Sequence, residues 1–204
     1  MKKTYETQLP QNYKEVFHID ARDKKIGLLL NLISLIPFIG VFLLLFFTAE
    51  LNLKTLFDGN SDGLKWLLLF CLVLILSIIA YIVLHELVHG AVYKVLTKRK
   101  LKFGISWSCA FCGVPDVYTY RTTAFLALIA PFAVFGVIFL ALTIVFAFLH
   151  PVYYALFAIL LGVHLGGCCG DLYMTGLLLF KYKNKELLMR DTGPEQWIYL
   201  PENA

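Results

Sequence analysis

The chain has 204 residues, of which 59% are hydrophobic and only 16% are charged, and its formal net charge is +4 at pH 7. This composition is too apolar for an ordinary soluble domain. It also argues against nucleic-acid binding, because the basic residues are scattered along the chain and do not cluster into a patch. The sequence therefore predicts a membrane protein.

Four stretches of the sequence are long and apolar enough to cross a bilayer. A run of about 18 or more residues with few charges is typical of a spanning helix, because it covers a hydrocarbon core of about 30 Å. The first three stretches carry no charge, and the fourth contains only His164 and Asp171. In chain order they are residues 26–48, 66–84 (continuing to about residue 94), 122–149 and 152–180.

The basic residues predict how the four spans are oriented. Six Lys and Arg residues precede the first span, six lie between the second and third spans, and four follow the last span, which makes 16 of the 18. Because basic residues concentrate on the cytoplasmic side, both termini are expected in the cytoplasm. The predicted fold is an all-α, multi-pass protein of a cell membrane, with a tail at 1–25, a four-span domain at 26–180 and a tail at 181–204.

The loop between the second and third spans predicts a short cytoplasmic β-hairpin. Phe103, Ile105 and Trp107 alternate as in a strand, and VYTY at residues 117–120 is typical of a second strand. Gly113 and Pro115, which lie between the two, favour a turn. An exposed strand edge near a catalytic site would align an extended substrate by β-addition. An ordinary cytoplasmic hairpin is the alternative.

The segment HELVHG, at residues 85–90, predicts a metal site at the end of the second span. His85 and His89 are four residues apart, so they lie on one face of a helix and can bind one zinc ion. Glu86 lies beside the metal and is expected to be the general base. Polar residues at the membrane interface are the alternative, but His85 lies nine residues before Lys94, the next basic residue. Buried ionisable groups of this kind mark functional sites, so Zn2+ is the predicted cofactor.

Zinc needs a third protein ligand, and the last span offers two candidates. Asp171 lies ten residues before Lys181, so its depth resembles that of His85. His164 lies seven residues before Asp171, about 10 Å away on an unbroken helix, so both can bind one ion only if the helix breaks at the glycines between them. Asp171 is the predicted ligand. His164 is expected to support a ligand, to donate to the substrate oxyanion, or simply to bond a neighbouring helix.

Several motifs resemble those of the zincin peptidase family of small bacterial membrane proteins. They are HELVHG in an early span, ALIAPF at the start of the next, GGCCGDLYMTG in the last, and the tail RDTGPEQWIYLP. The chain is also similar to site-2-type intramembrane metalloproteases, which combine HExxH with a distant Asp. The resemblance implies that His85, His89 and Asp171 bind zinc and that Glu86 is the catalytic acid/base. Site-2 proteases have an Asp-Gly sequence, whereas Asp171 follows Gly170 here.

These features predict a zinc metallopeptidase that acts within or next to the membrane on a membrane-bound or membrane-proximal protein, using zinc-activated water and Glu86. One alternative is a non-catalytic zinc-binding membrane chaperone or regulator, which would not need Glu86. A metal or proton transporter is a weaker alternative, because the sequence lacks repeated halves. The lipid bilayer is the second expected partner, and the sequence does not define an oligomeric state.

Overall fold

The computed structural model describes residues 3–48, 61–107, 109–183 and 185–202. The helices are α1 (Lys24–Thr48), α2 (Ser61–Thr97), α3 (Arg121–Leu149), α4 (Pro151–Gly167) and α5 (Cys169–Gly176), and α5 continues into a π-helical turn at Leu177–Lys181. The strands are β1 (Tyr5–Glu6), β2 (Tyr13–Asp20), β3 (Lys102–Ile105), β4 (Ala110–Gly113), β5 (Tyr118–Tyr120), β6 (Leu188–Asp191) and β7 (Glu195–Pro201).

The helices have the length and surface expected of membrane spans. Within the described residues, α1, α2 and α3 are each long and apolar enough to cross a membrane, and α4 with α5 makes a fourth span if the bent pair is counted as one. Large apolar side chains point outward on these helices, for example Ile36 and Val137, which are 68% and 69% exposed. A soluble helix would present a polar face instead. The prediction of a mostly helical chain is confirmed, and the four predicted spans correspond to three to four candidate spans in the structure.

The last span bends by 43° at Cys168, between α4 and α5. Gly166, two residues earlier, packs so closely on α1 that a Cβ atom there would lie 2.6 Å from the carbonyl oxygen of Ser34. The last span is thus broken within the glycine-containing segment between His164 and Asp171, the place that the sequence offers for a break. The break gives α5 a direction different from that of α4, so that His164 and Asp171 approach the HELVHG motif from different sides.

The predicted all-α class is only partly right. The helices hold 64% of the residues, but a five-stranded antiparallel sheet accompanies them. Its strand order is β1-β5-β6-β7-β2, so the two segments predicted as tails supply four of the five strands. The longest pairing, β2 with β7, joins residues from Tyr13↔Pro201 to Asp20↔Glu195. Such pairing depends on contacts between the two ends of the chain, which local sequence patterns do not reveal. The sheet packs on α3 and α5 through Leu128, Met174, Met189 and Ile198.

A separate hairpin, β3–β4, forms in the loop where the sequence predicts one, but its second strand is Ala110–Gly113. The VYTY segment, predicted as the second strand, instead supplies β5 of the five-stranded sheet, and Gly113 ends β4 rather than forming the hairpin turn. The antiparallel register of the hairpin runs from Lys102↔Gly113 to Ile105↔Ala110. The hairpin lies against α2, where the absence of a side chain at Gly90 makes room for the ring of Phe103. The last residue of HELVHG thus lets the hairpin lie beside the helix that carries the motif.

Candidate metal centre

Three side chains from two helices converge at the centre of the protein. His85 and His89 lie one turn apart on α2 and are 7% and 6% exposed, and Asp171 reaches them from the first turn of α5. The Nε2 atoms of the two histidines are 3.2 Å apart. The Oδ2 atom of Asp171 lies 3.2 Å from Nε2 of His85 and 3.3 Å from Nε2 of His89. We call this group the triad.

The dimensions of the triad fit a zinc ion. Zinc sites in proteins are tetrahedral, with ligand bonds of about 2.0–2.1 Å to nitrogen and oxygen, so that two ligand atoms lie about 3.3 Å apart. The three separations in the triad are all within 0.1 Å of that value. Two imidazole nitrogens and a carboxylate oxygen are also common zinc ligands. The triad therefore satisfies both the chemistry and the spacing of a three-ligand zinc site, and leaves a fourth position for water or substrate.

A hydrogen bond on the far side of His89 prepares its ring for a metal. Nδ1 of His89 lies 2.7 Å from the carbonyl oxygen of Ala127 on α3. A carbonyl oxygen can only accept, so Nδ1 of His89 must carry the hydrogen. The lone pair of a neutral ring is then on Nε2, which points into the triad. This arrangement is the usual one for a histidine that binds zinc.

The other ring nitrogen of His85 belongs to a second cluster. Its Nδ1 atom lies 3.0 Å from the hydroxyl oxygen of Tyr81, which is 2.9 Å from Nδ1 of His164 on α4. The thiol of Cys168 lies 3.6 Å from the same nitrogen of His164. His85, His164 and Cys168 form the second of the two groups of potential metal ligands among the described residues. The Tyr81 hydroxyl already bonds both histidines of this group, so it occupies the position that a metal would take.

His164 is completely buried, and both of its ring nitrogens have partners. Nδ1 faces Tyr81, and Nε2 lies 3.2 Å from the carbonyl oxygen of Phe132 on α3. The ring is therefore held away from the cleft where a substrate would bind. This geometry favours the expectation that His164 supports a ligand over the expectation that it donates to an oxyanion.

Glu86 lies beside the triad without being part of it. The side chain is half-buried and lines the same cleft as His85 and His89. Its carboxylate lies near the backbone N–H of Cys112 on β4. The hairpin therefore lies next to the carboxylate, which takes no part in the contacts among the three ligand atoms of the triad.

The triad opens into a cleft of about 290 Å³. The walls come from α1, α2, β4 and α5, and also from the turn between β6 and β7. Asn31 and Ser34, the only polar side chains between residues 26 and 47 of α1, line this cleft opposite the HELVHG motif. Terminal segments that the sequence predicts as tails thus complete the walls of the candidate site.

A second buried carboxylate joins the sheet to the motif helix. Asp191, at the end of β6, accepts hydrogen bonds from the Tyr93 hydroxyl at 2.7 Å and from the Gly193 backbone N–H at 2.8 Å. Burial raises the pKa of Asp191 to about 6. Burial also raises the pKa of the Cys112 thiol to about 12, so this cysteine of the CAFC sequence stays protonated and is a poor nucleophile.

Sequence reasoning did not single out Tyr81, Tyr93 or Asp191. For Tyr81 a signal was available, because it lies four residues before His85 and hence on the same helix face. Tyr93 and Asp191 carry no comparable signal, because they meet only when the C-terminal strands pack on α2.

The fold and the site define a mostly helical protein with candidate membrane spans and a group of residues suited to zinc. A family model described as "Putative zincin peptidase" matches residues 78–185, which is 108 of the 204 residues, and the chain belongs to this family. The match includes the whole triad and Glu86 but none of β1, β2, β6 and β7. No curated protein and no solved structure matches the chain significantly.

Proposed function

We propose that the protein is a zinc metallopeptidase that acts within or next to a membrane on a membrane-bound or membrane-proximal protein. The observation that carries this proposal is the triad, whose spacing fits zinc and which opens, together with Glu86, into a cleft. Membership of a zincin family supports the same chemistry. The combination of HExxH with an Asp from another span is the arrangement of site-2-type proteases.

In this proposal His85, His89 and Asp171 hold the ion. Bound zinc supplies Lewis-acid chemistry, which activates water as a nucleophile and polarises the peptide carbonyl. Asp171 joins α5 to α2 through the site, and the Ala127 carbonyl keeps the His89 ring in its binding orientation.

Glu86 moves the protons. Its carboxylate takes a proton from the attacking water and then delivers a proton to the leaving nitrogen. The carboxylate lines the cleft beside the backbone N–H of Cys112, within reach of a substrate in the cleft. A purely structural zinc site would need no such group.

The edge of β4 is suited to align a substrate. Phe111 faces Gly104 of β3, whereas the backbone N–H of Cys112 points the opposite way, toward Glu86. Because backbone groups alternate along a strand, those of Ala110 point to the same side as those of Cys112. An extended peptide lying along this edge would present its backbone to Glu86 and the triad, by β-addition. Extension matters because a peptide bond inside a helix is shielded from attack.

The membrane topology is part of the proposal. The distribution of basic residues favours cytoplasmic termini, which puts the triad near the cytoplasmic ends of α2 and of the last span. Reporter fusions after residue 204 and near residue 60 test this orientation. A periplasmic signal from the C-terminal reporter would overturn it.

The function is tested by comparing membranes that contain wild-type protein with membranes that contain Glu86→Gln. The glutamine has nearly the same shape but cannot accept the proton, so uncleaved substrates should accumulate in the variant. Exposed Glu15 on β2 provides the matched control, and Glu15→Gln should give the wild-type pattern. Identical membrane peptides in all three samples would count against the peptidase and favour a non-catalytic zinc protein.

A further inference from the structure

Tyr81, His85, His164 and Cys168, which we call the Tyr81 cluster, contain a chain of hydrogen bonds whose directions follow from the groups at its ends. The chain of contacts runs from the Phe132 carbonyl to Nε2 of His164, from Nδ1 of His164 to the Tyr81 hydroxyl, and from that hydroxyl to Nδ1 of His85. All four groups are in α2, α3 or α4. The chain ends on a triad histidine, at the ring nitrogen that faces away from the triad.

The direction of each hydrogen bond follows from the carbonyl end. The Phe132 oxygen can only accept, so Nε2 of His164 carries the hydrogen at that contact. The His164 ring has no exposure to solvent and packs against Phe132, Phe135 and Phe139. A charged ring would be costly in these apolar surroundings, so the imidazole is neutral and its Nδ1 atom must accept.

Tyr81 then transmits this arrangement to His85. The tyrosine has a single hydroxyl hydrogen, and it donates that hydrogen to Nδ1 of His164 at 2.9 Å. Its oxygen is left to accept from His85, so Nδ1 of His85 must be the donor at 3.0 Å. The lone pair of a neutral His85 ring is consequently on Nε2, the atom that faces His89 and Asp171.

Among the described residues, Cys168 is the competing donor at Nδ1 of His164. A thiol is a weak donor, and its sulfur lies 3.6 Å from the nitrogen, against 2.9 Å for the Tyr81 oxygen. The shorter contact with the stronger donor determines the direction of the chain.

We propose that Tyr81 and His164 are positioning residues that hold His85 in the tautomer with hydrogen on Nδ1, so that Nε2 is available to bind zinc. This inference deepens the proposed function and rests on its metal site. His89 achieves the same result through one hydrogen bond to a carbonyl, whereas His85, which has no carbonyl in that place, uses two side chains.

We call the hydrogen-bond chain from His164 through Tyr81 to His85 the relay. It predicts an unusual order of zinc affinities among variants of these residues. In His164→Leu the Tyr81 hydroxyl loses its acceptor and turns its hydrogen toward Nδ1 of His85, which forces the second hydrogen onto Nε2 and blocks the ligand atom. In Tyr81→Phe the tautomer is merely no longer enforced. Loss of such supporting groups typically costs about 10–100-fold in metal affinity, so we expect about 100-fold for His164→Leu and about 10-fold for Tyr81→Phe. Adding Tyr81→Phe to His164→Leu should restore the affinity to the level of Tyr81→Phe alone.

The experiment measures the zinc dissociation constant of the purified full-length chain by competition with a chelator, so that no substrate is needed. His164→Asn keeps an acceptor oxygen near the position of Nδ1 and should remain close to wild type. Two controls test neighbouring groups: Tyr153→Phe removes an exposed hydroxyl at the start of α4, and Cys168→Ala removes the competing donor. Both should bind zinc as the wild type does.

The relay is overturned if Tyr81→Phe and His164→Leu bind zinc with wild-type affinity. It is also overturned if the losses multiply in the double variant, because independent packing defects would do that. Tyr81→Phe keeps the ring that packs on Phe135 and Phe139, so it remains informative even if His164→Leu does not fold. A wild-type chain that binds no zinc would reject the proposed metal site and the relay together, whereas a zinc-binding wild type with the wrong variant order rejects the relay alone.

Discussion

The two ends of the His85 ring lie in contrasting surroundings. At Nε2 the ring meets a second imidazole and a carboxylate beside an open cleft. At Nδ1 it meets the Tyr81 hydroxyl, which also bonds buried His164 beside Cys168. Both groups hold three potential ligands within 4.8 Å of one another. The comparison shows that proximity of ligand types does not define a metal site, because the hydrogen-bond partners already present decide which group is left to bind an ion.

Asp171→Ala tests the comparison most severely. Loss of a supporting residue typically lowers metal affinity about 10–100-fold, and removing this ligand should lower zinc affinity by more than that. Peptidase activity should be lost with the metal. Zinc content and chelator competition provide the measurement. Asp116→Ala removes an exposed carboxylate in the loop after β4 and should bind zinc normally. Full zinc content in Asp171→Ala would assign the metal to the other end of His85.

Glu86→Gln distinguishes loss of catalysis from loss of zinc on the cleft side of His85. Because Glu86 is not a ligand in this account, the variant should keep its zinc while its cleavage rate falls by about 10²–10⁴-fold. The rate is measured on a candidate substrate in detergent or liposomes, next to the zinc content of the same samples. Loss of zinc in this variant would mean that Glu86 is itself part of the metal site.

Cys168→Ala has the smallest expected effect. The thiol lies on the Nδ1 side of His85, where the Tyr81 hydroxyl already bonds both histidines, so its removal should leave one zinc per chain and an unchanged affinity. Metal analysis of the purified variant checks this. A fall in zinc content would contradict the view that the triad alone holds the ion.

The sequence predicted the triad because each of its relations is local or depends on depth alone. His85 and His89 are one helical turn apart, and the match in depth between His85 and Asp171 follows from counting residues to the basic end of each span. The choice between His164 and Asp171 as third ligand was also visible locally, because both lie in the last span with glycines between them that allow a helix break. What the sequence could not give was the side of His85 that each residue approaches, since this depends on the 43° bend and on how α4 packs against α2 and α3.

The sheet shows where sequence reasoning stopped. Strands β2 and β7 come from opposite ends of the chain, and among the described strands β2 pairs with β7 alone. Their segments carry enough polar residues to be taken for tails next to a membrane. Only the folded chain shows that the terminal segments form part of the cleft wall. The turn between β6 and β7 lines the cleft, and buried Asp191 bonds Tyr93 of α2.

X-ray absorption at the zinc edge of the purified, zinc-loaded protein tests the central claim most directly, because the two ends of His85 differ in sulfur. The triad supplies only nitrogen and oxygen, so all ligand distances should be about 2.0–2.1 Å, with no sulfur shell. The same result is expected for Cys168→Ala. A zinc–sulfur distance of about 2.3 Å that disappears in Cys168→Ala would place the metal among His85, His164 and Cys168, and would contradict the account.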